Sequence, residues 1–143
     1  MIRKILCATD GSAASGKAVD TAVDLASQLG AALTFITVER VSSQTAANSA
    51  FWDSQVLDAA AAQTHRDLSA AEAKARSAGL AQVQCVTTQG GNIAAAIIDY
   101  AEKNAFDHIV TGSVGRTGLA RLMLGSVAAD VVAKAHCPVT VVR

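Results

Sequence analysis

Aromatic residues are scarce: three Phe, one Trp and one Tyr in 143 residues, or 3%. Any buried core must therefore be aliphatic and rich in alanine. There is no excess of either charge, because twelve basic residues face twelve acidic ones. A nucleic-acid or membrane-surface binder carries a basic surplus or a clustered basic stripe, and neither is visible. Cysteine is sparse and scattered: Cys7, Cys85 and Cys137 form no CxxC pair and have no histidine at metal spacing. This argues against a disulfide scaffold and for a reducing compartment. No apolar run approaches the roughly 18 residues of a membrane span, and nothing of signal-peptide length precedes Asp10. The expectation is a cytoplasmic protein that engages neither membrane nor nucleic acid. The sole proline, Pro138, begins the last apolar run, which suits a strand at a sheet edge.

What is present is apolar: 51% of the residues are hydrophobic, ample for one core, and the length predicts a single domain over 1–143. Short runs rich in Val, Ile and Thr alternate with helical patterns. The strand candidates are Ile2–Thr9, Leu33–Val38, Val83–Thr88, Asp107–Thr111 and Val139–Val142. They alternate only weakly, as strands covered on both faces do. Four helices lie between them. Ala18, Ala22, Leu25 and Leu29 stripe the first, ahead of Gly30, and Leu57, Ala61, Leu68, Ala71, Ala75 and Ala78 the second. The third carries Ala94, Ile97, Ile98 and Ala101, and the last Val127, Ala128, Val131, Val132 and Ala135. This order predicts an α/β fold: a five-stranded, parallel, doubly wound (Rossmann-like) sheet of order 3-2-1-4-5 with two helices on each face. Arg40–Gln55 is the least regular stretch, an excursion before the second helix with Phe51 and Trp52 as anchors.

In such a sheet ligands bind beyond the carboxyl ends of the strands, where the strand order reverses. Strand one leads into Asp10-Gly11-Ser12 and strand four into Gly112-Ser113-Val114-Gly115-Arg116-Thr117-Gly118, with Gly125-Ser126 opening the last helix. With order 3-2-1-4-5 these segments face each other across one crevice. Gly112 and Gly115 allow positive φ and close approach of backbone N–H groups to an anion. A helix N-terminus at Gly125-Ser126 favours phosphate, and Arg116 and Arg121 add charge or stay solvated. Simpler roles are open for each: turn-making for the glycines, helix capping for Ser126 and for Asp10, with Ser12 the competing cap. Gly11-x4-Gly16-Lys17-Ala18 is a near-match to a P-loop, but Ala18 stands where a Mg²⁺-binding hydroxyl is required. His65 and His136 have no visible partners, Asp53 and Asp58 match no metal spacing, and no Ser/His/Asp or Cys/His arrangement points to catalysis.

The spacing Gly112-x2-Gly115-x9-Gly125-Ser126 resembles the nucleotide-binding signature of the ATP-binding branch of the universal stress protein family. Ile5-Leu6-Cys7-Ala8-Thr9-Asp10-Gly11-Ser12, Thr37-Val38, Asp107-His108-Ile109-Val110 and Cys137-Pro138-Val139-Thr140-Val141-Val142 extend the likeness along the chain. The resemblance implies ATP, or AMP or ADP, as ligand. Asp10 would take the ribose hydroxyls, with Ala8 and Thr9 beside the nucleoside, and Val38 would offer its backbone to the adenine edge. Gly112 would lie near the ribose, with Gly115, Gly125, Ser126 and Val127 on the phosphates. Mg²⁺ or Mn²⁺ would be held through the phosphates, with no protein metal site. Ala8 and Asn92 depart from prolines found in some members. The resemblance also implies a nucleotide-dependent regulator that forms a homodimer through the last strand. A slow ATPase or phosphotransferase, and an AMP-binding or nucleotide-free interaction module, are the alternatives.

Overall fold

The computed structural model describes residues 1–40, 54–114 and 124–143. Five strands, β1 (Lys4–Ala8), β2 (Ala32–Arg40), β3 (Val83–Gly90), β4 (His108–Gly112) and β5 (Val139–Val142), alternate with four helices. The helices are α1 (Ala13–Leu29), α2 (Ser54–Ser77), α3 (Ile93–Lys103) and α4 (Ser126–Lys134). The strands form one sheet of order β3-β2-β1-β4-β5, and every pairing is parallel. This is the expected architecture, with β2 starting one residue before its apolar run and ending two residues after it. Arg40 pairs with Gly90 on β3, so hydrogen bonding to a long neighbour carries the strand past Val38.

Side-chain parity divides the core into two layers. Ile5 and Cys7 of β1, Leu33 and Phe35 of β2 and Val110 of β4 meet Ala18, Val19, Ala22, Val23 and Ala26 of α1 and Leu68, Ala71 and Ala75 of α2. Leu6, Ile36 and Ile109 meet Ala94, Ile97 and Ala101 of α3 and Val131 of α4 on the other face. Two helices therefore cover each face. The buried stripe of α1 runs along alanines, which brings the helix close to the sheet, while Leu29 at its end is 47% exposed. Among the described side chains of α2, Leu68, Ala71 and Ala75 are buried and Ala61 is exposed; Ala78, just past the helix, is exposed, and the side chain of Leu57 lies outside the described residues.

At the amino ends of the strands, Asp107 ties β4 to β1 by accepting from the Arg3 and Lys4 N–H groups at 3.0–3.1 Å. The carboxyl ends are thus left as the open edge of the sheet. Among the described residues no helix is long and apolar enough to cross a membrane.

Candidate functional site

Three described helices begin at this carboxyl edge, and their N-termini are finished differently. In α1, Ser12 is the N-cap and its Oγ accepts from Ser15 N–H at 3.2 Å. In α3, Asn92 does the same, its Oδ1 accepting from Ala95 N–H at 2.9 Å. The N-cap of α4 is Gly125, which has no side chain to give, and no side-chain cap bond is made. A helix leaves its first N–H groups without intrahelical partners, and they carry the positive end of the helix dipole. Of these three termini, α4 alone has none of those groups closed by a capping side chain. Ser126 is its first residue and is exposed, so it does not serve as the cap that the sequence left open.

Ser113 brings this terminus to the sheet. Its N–H donates to Val142 O at 2.8 Å, and its carbonyl accepts from Gly125 N–H at 2.7 Å. One residue after β4 thereby links the end of β5 to the start of α4. Gly112 sits where a Cβ would stand 3.3 Å from Ala14 O and 3.4 Å from Val114 O. Its φ is not positive, contrary to the sequence expectation; glycine suits the position because α1 begins so close to the end of β4 that a Cβ would be tightly placed. Gly115 and Arg116, with Arg121, lie outside the described residues.

On the β1 side, Ala8 and Val38 lie on the α3/α4 face, and Val127 of α4 borders the same layer. They form an apolar wall at the open edge. Thr9 has the opposite parity and points toward α1, where its Oγ1 lies 3.1 Å from Ser15 Oγ. Its backbone is also engaged, N–H to Ile36 O at 3.0 Å and carbonyl to the Thr37 hydroxyl at 2.8 Å. Thr9 therefore contributes to the architecture of the turn, and its side chain does not share the face of Ala8 and Val38. Asp10 follows at the mouth, with Oδ1 accepting from Ser12 N–H at 2.9 Å.

This turn also answers the P-loop resemblance. A phosphate cradle needs free backbone N–H groups, and four of those in this turn are taken. Asp10 N–H donates to Ser15 Oγ, Gly11 N–H to Thr9 Oγ1, Ser12 N–H to Asp10 Oδ1 and Gly16 N–H to Ser12 O. Helix α1 begins at Ala13, so Gly16 and Lys17 are helical and the Lys17 side chain is exposed. The adjoining cleft, lined by Gly11, Ser15, Gly16, Asp67 and Lys74 among others, carries the Asp67 carboxylate from α2, and the Lys74 ammonium is paired with Asp20 at 3.0 Å.

The remaining chemistry-bearing groups serve the fold. His136 Nε2 lies 3.0 Å from Phe106 O, and His108, buried beneath β5, pairs with the Thr140 hydroxyl at 2.7 Å. Burial raises the pKa of the Cys7 thiol. Cys85 is pushed up to about 11 by burial, with the Glu72 charge adding to the shift. All three cysteines are free. Among the described residues no group of three His, Cys, Asp or Glu side chains is placed to hold a metal ion. Ser15 and Asp67 escaped the sequence reading, and Thr37 entered it only beside Val38 in the family likeness. Ser15 left a signal there as the third residue after Ser12 at a helix start.

Comparison with known proteins covers the whole chain. Over 150 aligned positions it is 33% identical to universal stress protein YxiE of Bacillus subtilis, spanning 100% of both proteins. A 47-residue stretch is 55% identical to universal stress protein MJ0531 of Methanocaldococcus jannaschii, covering 33% of this chain and 28% of that one. The solved universal stress protein UspA from Lactobacillus plantarum superposes with a TM-score of 0.86 at 26% identity, over 99% of this chain and 98% of that one. A universal stress protein solved in complex with cAMP superposes with a TM-score of 0.77 at 26% identity, over 99% and 97%. The model of the universal stress protein family matches residues 1–143, and the chain belongs to that family.

Proposed function

We propose that the chain binds an adenine nucleotide, ATP foremost, in the crevice between the ends of β1 and β4, and acts as a nucleotide-dependent regulator. The observation that carries this reading is the uncapped N-terminus of α4, held at the end of β4 by the Gly125–Ser113 hydrogen bond. The phosphates would accept from the N–H groups of Ser126 and Val127 and from the Ser126 hydroxyl, and Gly115 and Arg116 would complete that end of the site. Asp10 would accept from the ribose hydroxyls. The apolar wall of Ala8, Val38 and Val127 would face the nucleoside, with Val38 offering backbone groups to the adenine edge, and Gly112 would admit the ribose closely. The solved relative with bound cAMP supports an adenine nucleotide as the ligand class.

A divalent cation, Mg²⁺ or Mn²⁺, would enter with the triphosphate, held by phosphate oxygens and water. Among the described residues no strand lies beyond β5, Val139-Thr140-Val141-Val142, which carries no charge to blunt its edge, and Val132 and Leu124 are 50% and 38% exposed. A second copy of this chain pairing along β5 would cover that edge. We assign the protein to the cytoplasm, where free thiols persist.

The test is to purify the protein without added nucleotide, denature it and identify what is released by chromatography and mass spectrometry. ATP at near one equivalent is the expected result. An empty protein that also fails to take up ATP, ADP or AMP in calorimetry would reject the reading.

A further inference from the structure

The peptide joining Thr9 to Asp10 is gripped from two elements. Its carbonyl accepts from Thr37 Oγ1 of β2 at 2.8 Å, and its N–H donates to Ser15 Oγ of α1 at 3.4 Å. Ser15 is 5% exposed, and its single hydroxyl proton goes to Ser12 O at 3.0 Å. Its Oγ is therefore an acceptor toward both neighbours, Asp10 N–H and the Thr9 hydroxyl, so Thr9 is the donor of that 3.1 Å contact. Thr9 Oγ1 in turn accepts from Gly11 N–H at 3.4 Å. The Thr9 and Ser15 hydroxyls each both donate and accept, and both residues are buried. Such satisfied networks hold one geometry, because any rotation strands a buried polar group.

Rotating the Thr9–Asp10 peptide would swing the Asp10 Cα–Cβ bond, and with it the carboxylate. We propose that Ser15 and Thr37 are positioning residues that aim the Asp10 carboxylate, and that through it they set the preference of the site for a sugar bearing both ribose hydroxyls. This rests on the reading of Asp10 as the ribose-binding group. A carboxylate receiving two adjacent hydroxyls has to be placed to within about 0.5 Å, since such bonds weaken steeply when misaligned. Neither positioning side chain is placed to touch the nucleotide. Ser15 is buried on α1 with its hydroxyl proton spent on Ser12 O, and the Thr37 hydroxyl is spent on Thr9 O.

The experiment is calorimetric titration with ATP and with 2′,3′-dideoxy-ATP. The proteins are the wild type, Ser15→Ala, Thr37→Val, Thr37→Ser and Asp10→Ala, together with Ser15→Ala and Thr37→Val each combined with Asp10→Ala. Ser15→Ala and Thr37→Val should weaken ATP roughly tenfold, comparable to losing one hydrogen bond to a charged group. Both should leave the dideoxy nucleotide within about twofold, since it has no hydroxyls for Asp10 to receive. Thr37→Ser keeps the donor and should restore ATP affinity. In the Asp10→Ala background neither change should cost anything further, which is what acting through Asp10 means. Equal losses for both nucleotides, unchanged ATP affinity, or a further loss in the Asp10→Ala background would each overturn the positioning role. Asp10→Ala binding ATP as tightly as the wild type would instead overturn the ribose reading of Asp10, and the inference with it. If Ser15→Ala does not fold, Thr37→Val decides alone, being isosteric at a half-buried strand position.

Discussion

Gly11 and Gly16 stand five residues apart in one glycine motif, yet replacing them should move stability in opposite directions. Gly16 is helical, with its N–H bonded to Ser12 O at 3.0 Å, and a Cβ added there meets no heavy atom within 4 Å. Alanine is favoured over glycine inside a helix by about 0.8–1.0 kcal/mol, and no packing term opposes the gain at this site. Gly16→Ala should therefore stabilise the protein by nearly that amount, raising Tm by roughly 3 °C for a domain of this size. Gly11 has φ +77°, and its added Cβ would overlap the Asp67 carboxylate. The left-handed conformation costs a side-chain-bearing residue about 1–2 kcal/mol. Asp67 would also have to move, disturbing its 2.9 Å bond from Gln63 Nε2. Gly11→Ala should thus lose about 1–3 kcal/mol, or roughly 3–10 °C. Urea and thermal unfolding followed by circular dichroism give the stabilities, and calorimetry gives ATP affinity for the same proteins. Gly16→Ala should keep full affinity. A stabilised Gly16→Ala protein that no longer binds ATP would mean that the α1 turn holds the phosphates, and the argument from its occupied N–H groups would fail.

Ser126→Ala should weaken ATP by about 1–2 kcal/mol and Lys17→Ala should leave it unchanged; the reverse order in calorimetry would move the site from α4 to α1. Removing Mg²⁺ with a chelator should weaken ATP and hardly touch AMP, and tight metal binding without nucleotide would reveal a protein cation site. Light scattering coupled to size exclusion should return twice the 14.5 kDa chain mass, with a monomer at about tens of micromolar counting against pairing along β5. Burial holds the His108 imidazole below its ordinary pKa of 6.5, with the Asp107 charge opposing the shift. The unfolded chain therefore takes up that proton first as the pH falls. Stability should be full above pH 6.5 and decline below it, by at most about 1.4 kcal/mol per pH unit from this group. Urea midpoints at pH 7 and pH 5 should show a smaller difference in His108→Gln than in the wild type, and an identical difference would clear His108 of the effect.

The parallel sheet was legible in the residues because apolar runs such as Ile5-Leu6-Cys7 and Ile109-Val110 must be buried on both faces. Alternation with helices leaves a parallel, doubly wound arrangement as the economical way to do that. The same logic set Asp10 and Gly112 at one edge, although 102 positions separate them. The tertiary structure alone decided which polar groups at that edge are spoken for. Ser12 closes α1, Asn92 closes α3 and Gly125 leaves α4 open. Thr9 turns to Ser15 while Ala8 stays with Val38. Gly112 is favoured by the nearness of Ala14 and not by its own φ. Periodicity specifies the face on which a side chain lies, through local geometry repeated every two or 3.6 residues. A hydrogen-bond partner such as Thr37 for Thr9, 28 residues away, depends on how two elements approach after packing, and no local pattern encodes that distance.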